Sequence, residues 1–340
     1  MIVGCHYVCN LVQREIMNNL DSQLDRAKTI LENNGVIGLP TETVYGLAGN
    51  IYSEEAISEI YRIKNRPTNN PLIVHIGDFE MLNEIAEEIP EYALYLAKKY
   101  WPGPLTLLLK KNKNVADFVT AGSDLVAIRM PDHPIALELL KSLDFPLAAP
   151  SANPSGQISP TCAEHVRNYF PTQIPLILDG GECEKGIEST IVGFENNVPV
   201  IYRFGSLDLE DELKEAWSKA PLSNSEPTTP GMLYQHYAPK TETISTENIE
   251  TIIAIHHDKL IGVLSYSFCE IKDKNSNVLF QEHLTENNSL VEAAKNLYQK
   301  LHHLDQLNLD LIVCELVPNV GIGKAINDKL IRASHKKINK

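Results

Sequence analysis

The feature that most constrains this chain is a rhythm. Short apolar runs alternate with amphipathic stretches, and the pattern breaks once, over 220–231, in a tract rich in Pro, Ser and Thr. A short apolar run between turn residues reads as a buried strand, and apolar spacing of three and four reads as a helix. Residues 21–33 predict a helix capped by Asp21, with Leu24, Ala27, Ile30 and Leu31 on one face and Gly35 past its end. A strand is expected at 36–39. Ser53 then caps a helix that runs to about Lys64, with Glu54 and Glu55 in its first turn. Further strands are expected at 71–76, 105–109, 125–129, 147–149, 175–178, 190–194 and 199–203, with helices between 78 and 100 and at 134–143. Some of these strands lie close enough in sequence for hairpins. The expectation is an α/β domain with a twisted mixed sheet rather than a purely parallel one. The alternation restarts at 241. It gives a helix from about Thr246, strands at 260–266, near Val278 and at 309–316, and helices at 290–304 and from Gly321. That is a smaller Rossmann-like α/β unit. The expected division is an extension at 1–20, a first domain at 21–219, a linker at 220–240 and a second domain at 241–340.

Charge narrows the partners. The net charge is −14, and the excess acid lies before Thr241. Such a surface repels the phosphate backbone, so no stable nucleic-acid binding is expected. A local cationic pocket for a small anion remains allowed. No apolar run is long enough for a bilayer, and the N-terminus lacks a basic start and a small-residue cleavage site. The expectation is a cytoplasmic protein without membrane contact. The cysteines show no CxxC spacing, and Cys5 and Cys9 around His6 are the only close pair. His256-His257 and His302-His303 lack acidic or thiol partners, so no metal site is expected. The phosphate-loop pattern GxxxxGK[ST] is absent. Gly321-x-Gly323 is followed by Ile326 where a third glycine would stand, and reads as packing at a helix start.

Two distant loops carry the chemistry. Lys64-Asn65-Arg66 places two cations at a helix end, just before Pro67 and Pro71. Cations at helix C-termini are ordinary, but a cationic pair beside a strand entry also suits a phosphate. Ser151-Ala152-Asn153-Pro154-Ser155-Gly156 follows the apolar run 146–150. It reads equally as a turn or as a binding loop at a strand end. Thr41 and Thr43 share a face if their segment is extended. His75 sits inside an expected strand, where a satisfied core histidine is the commoner case. Arg129 ends an apolar strand, either as a carboxylate clamp or as a surface cation.

Taken in order, Pro40-Thr41-Glu42-Thr43-Val44-Tyr45-Gly46-Leu47, Lys64-x-Arg66-Pro67, Pro71-Leu72-Ile73-Val74-His75, Trp101-Pro102-Gly103-Pro104-Leu105-Thr106, Ile128-Arg129-Met130-Pro131, Ala149 to Gly156 and Glu188-Ser189-Thr190-Ile191-Val192 resemble the YrdC-like domain of the threonylcarbamoyl-AMP synthase family. Pro230-Gly231-Met232, His236-Tyr237-Ala238-Pro239 and the extra α/β unit resemble its long two-domain form. The resemblance implies a nucleotidyltransferase with a concave, positively charged cavity. It would convert L-threonine, bicarbonate and ATP to threonylcarbamoyl-AMP and pyrophosphate, with Mg²⁺ accompanying ATP. A downstream tRNA threonylcarbamoyl transferase would receive the product and modify the adenosine beside the anticodon. Lys64, Arg66, Ser151 and Asn153 are then the catalytic tetrad. Asn70, Ser159, Arg203 and Tyr237 join Arg66 and Ser151 as ATP contacts. Thr43, His75, Arg129, Ala149 and Ser189 form the threonine pocket. One departure is visible: Leu233 and Gln235 flank Tyr234 where the family usually carries cations, so a linker lid would bring less positive charge to the phosphates, with Tyr234 or Tyr237 expected to reach the nucleotide. A hydrogenase-maturation carbamoyltransferase would need further modules that this length and cysteine pattern exclude. An RNA-binding module on the same fold is the alternative, and the acidic balance opposes it.

Overall fold

The structure is a computed structural model that describes residues 20–213, 236–268 and 277–334. Helix α1 (20–32) leads into β1 (Ile37–Leu39). Leu20 is already helical, so Asp21 lies within α1 and is not its cap. Then come β2 (Gly46–Asn50), α2 (Glu54–Lys64), β3 (Ile73–His75), α3 (Phe79–Ile85), α4 (Glu91–Tyr100), β4 (Leu105–Lys110), α5 (Asp117–Thr120) and β5 (Leu125–Arg129). The domain closes with α6 (Pro134–Ser142), β6 (Leu147–Ala148), α7 (Ala163–Tyr169), β7 (Thr190–Glu195) and β8 (Val198–Arg203).

These strands form one eight-stranded mixed sheet, ordered β1-β2-β6-β3-β5-β4-β7-β8. Only β3–β5 and β4–β7 pair in parallel. The sheet is buried on both sides, and successive residues serve different cores. Leu47 packs with Val74, Leu107 and Ile128, while Ala48 packs with Leu24, Leu139 and Leu147. β2 itself reads poorly as a strand, because Gly46, Ala48 and Gly49 have low strand propensity; pairing on both edges overrides that. The strand expected at 175–178 is absent. Ile177 instead makes an isolated bridge to Gly38, on the edge of the three-residue β1 that β2 leaves free.

The second unit holds β9 (Glu242–Thr246), α8 (Ile249–Ile255), β10 (Ile261–Ser267), β11 (Val278–Thr285), α9 (Leu290–Asp305), β12 (Leu311–Glu315) and α10 (Gly323–Ser334). Its sheet is wholly parallel, ordered β11-β10-β12-β9. The helix expected from Thr246 starts later, capped by Asn248, because β-branched Thr243, Ile244 and Thr246 pair with β12 instead. The two units share a core: Val44, Ile158, Ile187 and Tyr237 pack with Leu284, Leu297 and Ile326. At Gly186 the contact is so close that a Cβ would lie 2.2 Å from the Lys295 carbonyl oxygen. Most of the expected linker, including Leu233, Tyr234 and Gln235, and the extension with Cys5 and Cys9 lie outside the described residues.

Candidate active site

Helix α2 builds one side of the site by the way it ends. Ser53 Oγ accepts from the Ala56 N–H and sets the start; Asn65 adopts a left-handed conformation (φ 49°) and sets the stop. That single turn residue separates two cations. Lys64, the last helical residue, is 1% exposed, and its ammonium donates to the carbonyls of Ser151 and, at 2.6 Å, Asn153. Ser155 N–H donates back to the Lys64 carbonyl at 2.8 Å. The two distant loops therefore meet. Past the turn, Arg66 lines a cleft. Its guanidinium donates to Asn70 O (3.0 Å), Asn70 Oδ1 (2.5 Å) and Pro71 O (2.7 Å). All these acceptors are neutral, so among the described residues neither cation has a carboxylate partner in its hydrogen bonds. Burial pushes Lys64 well below the ordinary lysine range and Arg66 down to about 10. Nearby cations add to both effects.

The other end of the cleft is built differently. His75 and Arg129 are register partners on β3 and β5, so both side chains stand on one face of the sheet. Arg129 donates to Thr43 Oγ1 (2.7 Å) and Gly103 O (3.3 Å). Its Nη2 lies 2.6 Å from Glu42 Oε1. That is an ion pair off the line a hydrogen bond needs, and both Glu42 oxygens and Arg129 Nη2 lack hydrogen-bond partners. Here the buried cation is neutralised. Residues 41–44 form a turn rather than a strand: Thr41 Oγ1 accepts from the N–H groups of Thr43 and Val44 and lies 3.0 Å from Thr43 Oγ1. The hydroxyls still end up together. Burial first, then Arg129, push His75 down to about 3, so it is neutral. Ala149 N–H donates to Ile73 O at 2.9 Å, which leaves this backbone beside the cleft. Ser189 Oγ sits between Thr106 Oγ1 (2.7 Å) and Arg203 Nη2 (3.0 Å).

The end of the linker enters the same cleft. His236 and Tyr237 line it, both buried. Burial and then the surrounding cations, Arg66 and Lys64 foremost, hold His236 well below its usual range. Tyr237 has φ 65°, a left-handed conformation that a bulky residue adopts only when its neighbours impose it.

Residues 29–205 match the family model described as "Telomere recombination", and residues 200–335 match "Threonylcarbamoyl-AMP synthase, C-terminal domain". The chain is 40% identical to threonylcarbamoyl-AMP synthase of Pyrococcus abyssi, over 91% of this chain and 93% of that protein. The chain belongs to the threonylcarbamoyl-AMP synthase family. The Bacillus subtilis threonylcarbamoyl-AMP synthase is 38% identical over 95% and 96% of the two chains. The crystal structure of P. abyssi Sua5 complexed with L-threonine superposes with a TM-score of 0.85 at 39% identity, covering 92% of this chain and 94% of that one. The family's two-domain form is the one seen here.

Against the synthase-family expectation, Arg66, Ser151, Arg203, Tyr237, Thr43, His75, Arg129, Ala149 and Ser189 line one cleft. Lys64, Asn70, Asn153 and Ser159 stand behind its wall. Asn70 holds Arg66, Asn153 donates to Pro154 O and Gln157 O, and Ser159 donates to Glu188 at 2.6 Å. Sequence reasoning gave no role to Glu42, Glu188 or His236, and paired Thr41 with Thr43 without placing it in the site. Glu42, an acid between two threonines in a buried turn, was the visible signal; Glu188 carried none apart from its neighbour Ser189.

Proposed function

We propose that this protein is an L-threonylcarbamoyl-AMP synthase, a nucleotidyltransferase acting on L-threonine, bicarbonate and ATP. One observation carries the reading: Arg66, which among the described residues is hydrogen-bonded only to neutral acceptors and is backed by Lys64 behind the wall, and a neutralised arginine corner at Arg129 line the same cleft. The amine of threonine combines with bicarbonate, losing water, to give a carbamate. A carbamate oxygen then attacks the α-phosphorus of ATP, and pyrophosphate leaves. Anion must approach anion, so the protein's task is positioning and charge neutralisation. Arg66 and Arg203 face the phosphates, and Lys64 braces the Ser151 loop while adding its field. The Arg129–Thr43–His75 corner receives threonine, its carboxylate toward Arg129. Glu42 keeps that corner near neutral overall, which suits a zwitterionic amino acid.

Mg²⁺ enters with the triphosphate as part of the substrate. Among the described residues no cluster of acidic, histidine or cysteine side chains gathers to hold a metal. Residues 21–219 and 241–340 are taken as the catalytic and C-terminal domains, with 220–240 joining them. A tRNA threonylcarbamoyl transferase consumes the product in the cytoplasm; among the described residues no helix is long and apolar enough to cross a membrane.

The test is direct. Incubation with ATP and bicarbonate and one amino acid at a time, followed by mass analysis, is expected to give an adenylated carbamate with L-threonine. An AMP adduct that forms equally without amino acid would overturn the reading.

A further inference from the structure

Among the described residues the second unit contributes none to the lining of the cleft, yet one of its side chains holds two cleft residues at once. Tyr298, on α9, is fully buried. Its hydroxyl donates to Glu188 Oε2 at 2.8 Å, while Ser159 Oγ occupies Glu188 Oε1 at 2.6 Å. Its ring stacks on Tyr237, with centroids 5.7 Å apart and planes 28° apart. Glu188 and Tyr237 both line the cleft. Tyr237 needs this support, because its left-handed backbone is unfavourable alone. Ala238 N–H fixes the next residue to Gly156 O at 2.9 Å. From α10, the Lys329 ammonium lies 5.4 Å over the Tyr237 ring while donating to Phe204 O at 2.7 Å.

We propose that Tyr298 is a positioning residue for the reaction: its hydroxyl fixes the Glu188 carboxylate and its ring fixes Tyr237, so docking of the C-terminal domain sets the shape of the catalytic cleft. The inference rests on the synthase reading and goes beyond it, giving the C-terminal domain a defined part. A plain core role accounts for the ring but not for the hydroxyl. Phenylalanine would fill the same volume, and the oxygen's bond is to a cleft-lining carboxylate.

The experiment uses the full chain and the variants Tyr298→Phe, Glu188→Gln and both together. Each is assayed for threonylcarbamoyl-AMP formation with ATP and L-threonine varied separately, alongside its thermal midpoint. Removing one hydrogen bond to a buried carboxylate is expected to lower turnover about tenfold. The loss should fall on kcat rather than on either KM, since alignment is what suffers, while the thermal midpoint falls by about a few degrees, as the lost buried hydrogen bond implies, with the protein remaining folded at the assay temperature. The double variant should be no worse than the poorer single variant, because the pair acts as a unit. Tyr298→Leu, which also removes the stacking on Tyr237, should lose more than Tyr298→Phe. A Tyr298→Phe enzyme with parental kcat overturns the inference, as do fully additive losses in the double variant. If the parent protein itself makes no threonylcarbamoyl-AMP, the synthase reading falls and takes this inference with it. A productive parent with an indifferent Phe variant overturns the inference alone.

Discussion

The two ends of the cleft each hold buried cations, and they treat them in opposite ways. At one end Arg66 and, behind it, Lys64 are hydrogen-bonded among the described residues only to carbonyl and amide oxygens. At the other, Arg129 (4% exposed) faces the Glu42 carboxylate, itself 3% exposed. Burying a charge without a counter-ion is unfavourable, so the first end is built to be completed by an anion. The second is complete already and can only orient what arrives. On the proposed function, one cleft would then hold the polyanion ATP beside the zwitterion threonine.

Removing the uncompensated cation should do the greatest damage. Arg66→Ala is expected to lower threonine-dependent pyrophosphate release about a thousandfold, the scale of a lost charge-stabilising group. Turnover within a few-fold of the parent would sink the assignment. Arg129→Ala should raise the KM for L-threonine about a hundredfold and barely move that for ATP, as loss of a charged, hydrogen-bonded contact implies. Comparable changes in both KM values would erase the distinction between the ends.

Glu42→Gln strips Arg129 of its counter-ion. Breaking a buried pair from one side costs about 3–5 kcal/mol, so denaturant titration should show a loss of that order. No loss would mean the pair is not buried in solution. Lys64 sharpens the other end. Its pKa is depressed by burial, and a bound triphosphate should raise it. ATP binding should then take up protons at alkaline pH, seen by calorimetry in buffers of different ionisation enthalpy, and Lys64→Met should abolish the uptake.

The mildest effect is on stability. His75 in the cleft and His302 at the domain interface, stacked on His165, both sit near 3, chiefly through burial. Unfolding lets each return to about 6.5. The unfolded chain binds more protons between those values, so stability should fall as pH drops from about 6.5 toward 3. Replacing His302 with Gln should flatten the melting curve's dependence on pH in that window.

Much of the fold was legible because many strands of the first sheet are buried and stand out as apolar runs between turn residues. The runs beginning at Leu105 and Leu125 became β4 and β5. Ser53 capped α2 as its side chain required. Elements held by pairing rather than by their own residues were not legible: β2 with its glycines, β9 with its threonines, and the lone bridge at Ile177. The site divides the same way. Spacing put Lys64 and Arg66 on one loop, and Asn65 after the helix end is a common left-handed cap, but the sequence does not say that this turn sends one cation behind the wall and the other into the cleft. The Glu42 partnership with Arg129 and the reach of Tyr298 to Glu188 join residues far apart in the chain, which no local pattern records.

The most direct test of the divided cleft is a crossed titration. Binding of ATP and of L-threonine is measured by calorimetry for the parent, Arg66→Ala and Arg129→Ala. Arg66→Ala should lose ATP and keep L-threonine, and Arg129→Ala should do the reverse. If either variant loses both ligands equally while remaining folded, the two ends are one undifferentiated site and the account is wrong.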